Sequence, residues 1–182
     1  MAKIQKIIYK GVTYYLYDDK ITDSSFLVLD TKTSQEVAEY YFSTIDTSKY
    51  TEDQLFTFLT LAKNAGAYSF AYKEIKNQLN RSDIDYSRVK AYLPVFTSLS
   101  RILRRPQDAI DIAEKYIKIS SDYESIALFV SLAAAYCDVK EYEKAFRTIN
   151  VAYAMQGGGV GYKNELSLVY ARIKKESGLS GI

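Results

Sequence analysis

The stretch at residues 157–161 reads GGGVG and raises the question of a phosphate-binding loop. Such a loop needs a strand before its glycines and Gly-Lys-Ser/Thr at its end. Here a helical pattern precedes the glycines, and Tyr162-Lys163-Asn164 follows them. A dinucleotide-binding motif fails as well, because Tyr162 stands where the third glycine belongs. An anion at the start of the next helix stays open as an alternative, but the pattern favours a turn between two helices.

Side chains for catalysis or metal binding are scarce. The chain has no histidine, the commonest acid–base catalyst and metal ligand, and one cysteine. Its close carboxylate pairs fall at predicted turns and helix starts, where capping and the helix dipole account for them. The sequence therefore predicts a protein that is not an enzyme and that has no catalytic residues, metal site or cofactor.

A basic cluster marks both ends of a long predicted helix in the middle of the chain. At a helix C-terminus, cations satisfy the last carbonyls and the dipole, which gives the cluster a structural role. Arginines near tyrosines also bind phosphate or nucleic acid, although the formal net charge of the chain is only +2. This possible anion or nucleic-acid patch comprises Arg88, Lys90, Arg101, Arg104 and Arg105.

Composition points to a soluble, intracellular protein. The 182 residues have 48% hydrophobic and 25% charged residues, close to the average for globular chains. The first residues lack the apolar run of a secretory signal. The longest apolar run, at residues 126–137, is shorter than a membrane span requires. With one cysteine, the sequence predicts a cytoplasmic location and no membrane partner.

The N-terminal residues predict a small antiparallel β meander. Between residues 4 and 42 the pattern has a period near two and is rich in Ile, Val, Tyr and Thr. Up to four short strands are expected, reading IQKIIY, VTYYLY, SFLVLD and EVAEYYF. A sheet this small is marginal alone, so we expect it to dock on helices. The first predicted domain is this meander, residues 1–45.

From about residue 50 the period changes to that of amphipathic helices. Short breaks separate about seven predicted helices, which indicates neighbouring antiparallel hairpins. The fold class is therefore α+β, mostly α, with a helical domain at residues 50–177.

The helical part repeats itself. In the best copy, the first helix reads F-x-x-L-A-x-x-Y from Phe129, and the second reads Y-x-x-A-x-x-x-I-x-x-A from Tyr142. Residues 52–78 repeat this pattern around Gly66. A further first helix begins near Tyr162, and its residues lie 34 positions after the matching residues of the best copy. An irregular copy lies between them. These residues resemble the tetratricopeptide repeat over about residues 50–177, with a terminal capping helix; the N-terminal segment resembles no known family.

The resemblance implies a non-enzymatic scaffold or adaptor in protein–protein interaction. Tetratricopeptide-like arrays hold a peptide or a helix of a partner on their concave face, which the first helix of each hairpin lines. The implied groove residues on the first copy are Phe56, Thr57, Thr60, Lys63 and Asn64. Those on the last full copy and the capping helix are Ala127, Val130, Ser131, Ala134, Asp138, Asn164, Glu165 and Arg172.

Two alternatives stay open from the sequence. One is an accessory protein that binds nucleic acid or phosphate through the basic middle helix. The other is a structural protein that self-associates as a homo-oligomer. The chain is also tyrosine-rich, with 18 tyrosines, and tyrosine is enriched at protein interfaces.

Overall fold

The chain folds as a mostly helical α+β protein, as the sequence predicts. The computed structural model describes residues 4–119, 125–156 and 161–178. Contacts divide it into two compact units, Met1–Asn80 and Arg81–Ile182. In the described residues, a three-stranded antiparallel sheet and three helices belong to the first unit, and five helices belong to the second.

The sheet of the first unit is a meander in the order β1-β2-β3. Positive φ angles at Lys10 and Gly11 make the tight turn between β1 and β2, and Asp18 and Asp19 make the next turn. Ile7, Leu16 and Ile21 share one face of the sheet and are buried. The strands are β1 (Gln5–Tyr9), β2 (Val12–Tyr17) and β3 (Lys20–Thr22).

Two of the four predicted strands are wrong. The segment SFLVLD forms only an isolated bridge, between Thr22 and Val28, and the third strand is instead Lys20–Thr22. The segment EVAEYYF lies in a helix, α1 (Thr31–Ser43), whose Asp30 side chain accepts a hydrogen bond from the Thr33 N–H at 3.0 Å. Its β-branched and aromatic residues favour a strand, but Val37, Ala38 and Phe42 form one buried helical face.

The helices of the first unit complete its core. α1 contacts β1, β3 and both following helices, so it links the sheet to the hairpin. Phe42 of α1 lies 5.2 Å from the Phe58 ring, and Phe58 lies 6.0 Å from the Phe70 ring. The hairpin consists of α2 (Glu52–Ala65) and α3 (Tyr68–Leu79).

The second unit is a series of helical hairpins around one central helix. This helix, α6, contacts α4, α5, α7 and α8, and most of its side chains are buried. Each helix of this unit packs on the next helix in sequence. In addition, α4 packs on α6, and α6 packs on α8. The bounds are α4 (Tyr86–Ile102), α5 (Pro106–Ile119), α6 (Ile126–Asp138), α7 (Tyr142–Gln156) and α8 (Lys163–Ser177).

The described residues form eight helices where about seven were expected, because α1 stands where the fourth strand was predicted. The change of period near residue 50 does not divide the compact units, since the α2–α3 hairpin belongs with the sheet.

Candidate partner-binding site

An open groove of about 510 Å³ runs along α2 in the first unit. Gln54, Thr57, Phe58 and Leu61 line it at the i, i+3, i+4 and i+7 positions of one helix face, and Tyr50 and Asp53 line its N-terminal end. We call this set the α2 groove. Its lining is mostly apolar, as in clefts that bind apolar ligands.

Local sequence fixes the helix that carries the α2 groove. The Thr51 Oγ1 accepts a hydrogen bond from the Gln54 N–H at 3.3 Å, and the Gln54 Oε1 accepts one from the Thr51 N–H at 2.9 Å. This reciprocal pair is a capping box, which satisfies two backbone donors at the helix start. Gly66 ends the helix with φ of 100°, a left-handed conformation that suits glycine. Both ends of the groove helix are therefore defined by side-chain chemistry.

The floor of the α2 groove is continuous with the core. The Phe58 ring lies 5.4 Å from the Tyr50 ring in an edge-on arrangement, and it also contacts Phe42 and Phe70. Aromatic pairs of this geometry favour fixed ring positions. The apolar floor is thus held in place by residues behind it.

One of the five predicted groove residues on the first copy lines this groove. That residue is Thr57, which is exposed. Phe56, Thr60 and Lys63 are half-buried, and the Thr60 Oγ1 is buried with no hydrogen-bond partner in the part of the chain that is described. Asn64 is exposed, and its Nδ2 donates to the Asp19 Oδ2 at 3.4 Å. Tyr50, Phe58 and Leu61 also line the groove, and the repeat pattern did not single them out as groove residues, since it assigned Phe58 to packing between helices.

The predicted groove residues of α6 are less accessible. Val130 is 8% exposed and Ala134 is 1% exposed, because helices pack around α6. Ala127 and Ser131 are half-buried. Ala127 also lines a separate cavity of about 460 Å³, together with Ser125, Ile126, Met155 and Tyr162. Val130 and Ala134 therefore offer little surface to a partner.

The remaining predicted residues include the centre of an ion cluster. Asp138 accepts hydrogen bonds from the Arg101 Nε at 2.7 Å and from the Arg172 Nη1 at 2.6 Å. Arg172 also donates to the Glu176 Oε1 at 2.8 Å. These four residues, which we call the arginine–carboxylate cluster, join the C-terminal ends of α4, α6 and α8. Asn164 and Glu165 lie apart from it, exposed in the first turn of α8.

The contacts around Arg172 and Glu176 shift the pKa values of these two side chains and of the neighbouring Cys137. The hydrogen bond to Glu176, followed by those to Asp138, raises the pKa of Arg172. The Arg172 guanidinium and then the Cys137 thiol, which donates to the Glu176 Oε2 at 3.3 Å, lower the pKa of Glu176. Burial and this contact raise the pKa of Cys137 to about 11, so the thiol stays protonated at neutral pH.

The structure does not gather the predicted basic patch into one site. Arg88 and Lys90 lie in the first turns of α4, and Arg101 lies in its last turn, about 20 Å away along the helix axis. Lys90 lies 5.1 Å from the centre of the Tyr86 ring, and Arg101 is bound to Asp138. Arg104 and Arg105 are exposed in the turn after α4.

The carboxylates of the described residues do not form a metal site. Within residues 4–119, 125–156 and 161–178, no group of three or more Cys, Asp or Glu side chains could hold a metal ion. The Arg81 guanidinium lowers the pKa of Asp83, and Asp85 accepts from the Ser87 N–H at the start of α4. The glycines at which a phosphate-binding loop was considered, Gly157, Gly158 and Gly159, lie outside the described residues.

No protein-family description, curated protein or solved structure matches the chain. None of the helices in the described ranges has the length and apolar character that crossing a bilayer requires.

Proposed function

We propose that this protein is a helical-repeat adaptor whose α2 groove binds an amphipathic helix of a protein partner. The observation that carries the proposal is the mostly apolar groove along one face of α2, in which Phe58 and Leu61 lie at the i+4 and i+7 positions beside Gln54 and Thr57. The tetratricopeptide resemblance supports the choice of helix, because α2 is the first helix of its hairpin, while the groove shares only Thr57 with the face that the resemblance implies.

The dimensions of the α2 groove suit a helix rather than a small ligand. Residues 53–61 extend over about 12 Å of helix axis, which equals roughly two turns of a partner helix. A partner helix would present apolar residues with the same spacing toward Phe58 and Leu61. Thr57 lines the same groove and is exposed, so we expect a partner helix in the groove to contact it.

The experiment selects ligands from a display library of 16-residue peptides against the full chain. We expect enriched peptides with apolar residues spaced by three and four, which gain helical circular dichroism on binding. Thr57→Arg places a long charged side chain in the groove and should weaken their binding by at least about tenfold. Asn150→Arg makes a similar change on the exposed face of α7 and should leave it intact.

The proposal fails if the library yields no enriched peptide. It also fails if the enriched peptides bind the Thr57→Arg variant as well as they bind the original chain. A thermal melt of each variant, compared with the original, separates loss of binding from loss of fold, because Thr57 is exposed and its replacement leaves the core unchanged.

A further inference from the structure

The sheet of the first unit has a second face that no described helix covers. Register partners in an antiparallel sheet share a face, so Lys6, Ile8, Thr13, Tyr15 and Tyr17 lie opposite the buried residues Ile7 and Leu16. A solvated face normally carries polar side chains. Here Ile8 is 59% exposed and Tyr17 is 40% exposed.

A structured loop after β3 adds to this apolar face. Phe26 lies 5.3 Å from the Tyr15 ring and 5.6 Å from the Tyr17 ring, and it is still 46% exposed. The Asp23 carboxylate holds the loop by accepting from the Ser25 N–H at 2.8 Å and the Leu27 N–H at 3.0 Å. Phe26 has φ of 59°, a conformation that costs a non-glycine residue about 1–2 kcal/mol. The chain therefore maintains an exposed aromatic residue at an energetic cost.

We propose that this surface is the interface of a two-fold homodimer. We call it the outer sheet face, and it comprises Ile8, Tyr15, Tyr17, Phe26 and Val28, whose bridge to Thr22 places it on the same side as Tyr15. Four of these side chains are exposed, and together they leave roughly 400 Å² open to solvent. That lies within the roughly 300–600 Å² of the largest patch that a monomer exposes, and such patches are often functional. With its polar rim the face approaches the roughly 800 Å² per partner of a stable interface.

Charge favours a second copy as the occupant. Lys6 and Lys20 lie on the same face, and Asp18 and Asp19 follow it in the turn between β2 and β3. A two-fold axis places each patch against itself, so a patch that carries both signs can pair its lysines with the partner's carboxylates. An anionic lipid surface would meet as many carboxylates as lysines, which weakens its attraction.

The test is sedimentation equilibrium of the full chain over roughly 1 to 100 µM, a range that covers interfaces of this size. We expect a concentration-dependent species with twice the 20.7 kDa chain mass. Ile8→Lys should raise the dissociation constant by at least about tenfold, because it places a charge in the apolar centre of the interface. Val28→Lys should act in the same direction with little risk to the sheet, because Val28 is exposed and forms only an isolated bridge outside the three strands.

The matched control is Val12→Lys. Val12 lies in the same hairpin and is 50% exposed, but it pairs with Tyr9 on the opposite face. It should leave the dimer intact.

Three results would overturn the proposal. The first is a monomer at all concentrations, and the second is a dimer that Ile8→Lys and Val28→Lys leave unchanged. The third is a monomer that co-floats, in a vesicle flotation assay, with phosphatidylcholine vesicles containing phosphatidylserine. That result would mean that the outer sheet face binds lipid. The α2 groove does not contribute to this face, so Thr57→Arg should leave the dimer unchanged.

Discussion

Lys140 adopts a backbone conformation that favours glycine. Its φ is 65°, and it ends α6 by donating its N–H to the Cys137 carbonyl at 3.0 Å while the Glu141 N–H donates to the Tyr136 carbonyl at 2.9 Å. This pair of bonds is a Schellman motif, which satisfies the last carbonyls of a helix. Gly66 ends α2, and Arg104 ends α4, with the same two bonds. The three hairpins thus have the same type of turn, and only the first has glycine at the left-handed position.

Lys140→Gly should stabilise the protein by about 1 kcal/mol, because glycine has no Cβ to clash in the left-handed region. Chemical denaturation measures the free energy of unfolding. Lys140→Ala is the control: it removes the same charge but keeps the Cβ, so its effect should be smaller than about 0.5 kcal/mol. Equal stabilisation by glycine and alanine would mean that the lysine charge, and not the backbone, determines the effect.

The residue pattern predicts such turns better than it predicts the arginine–carboxylate cluster. The position of Lys140 follows from the repeat, because Gly66 stands at the matching place in the first copy. Arg172 and Glu176 are four residues apart on one helix, a spacing at which ion pairs can be read from sequence. Arg101 and Asp138 are 37 residues apart on different helices. Their pairing depends on how α4 packs against α6, which no local pattern encodes.

Among the elements, α3 depends on a side chain from α1. Ala67 stands before α3 and offers no capping side chain. The Glu39 carboxylate supplies the cap, with Oε1 accepting from the Ser69 N–H at 2.6 Å and Oε2 from the Phe70 N–H at 2.9 Å. A carboxylate at a helix start satisfies free N–H groups and interacts favourably with the dipole. This contact fixes α1 against the hairpin that carries the α2 groove.

Glu39→Ala should lower the free energy of unfolding by about 1–2 kcal/mol, because it leaves two helix N–H groups without their acceptor. Thermal and denaturant melts measure the change. Glu36→Ala is the matched control on the same helix. Glu36 is exposed, and it forms a surface ion pair in which its Oε2 lies 3.6 Å from the Lys10 Nζ. Its effect should stay below about 0.5 kcal/mol. Similar losses in both variants would show that helix α1 itself, rather than the cap, is weakened.

The sequence predicted a strand where α1 lies because local patterns do not report contacts between elements. The Glu39 cap of α3 was not predicted for the same reason. In EVAEYYF, the β-branched Val37 and three aromatic residues favour a strand, while the spacing of Val37, Ala38 and Phe42 fits one helix face. Contacts with β1, β3 and the α2–α3 hairpin decide between the two patterns. Propensity is a weak prior that such packing overrides.

At the scale of the molecule, the change of period in the sequence and the boundary between compact units differ. Periodicity reports local structure, and it predicts the helices from α2 onward but not α1, which lies in the region predicted as strands. It carries no information about which elements pack together. The first unit, Met1–Asn80, therefore combines sheet and hairpin, and it contains both the α2 groove and the outer sheet face. Each unit has its own core, around Phe42 and Leu59 in the first and around α6 in the second.

Because each core is separate, a severe core substitution in one unit should leave the other folded. Ala145 of α7 is fully buried, and α7 packs on α6. Ala145→Arg forces a long charged side chain into the space of a methyl group and should cost more than about 3 kcal/mol. Hydrogen exchange measured by mass spectrometry should show lost protection in α6 and α7 and retained protection in α1 and α2.

The control is Val151→Arg, on the exposed face of α7, which should leave protection unchanged in both units. Loss of protection in both units with Ala145→Arg would show instead that they unfold as one cooperative body.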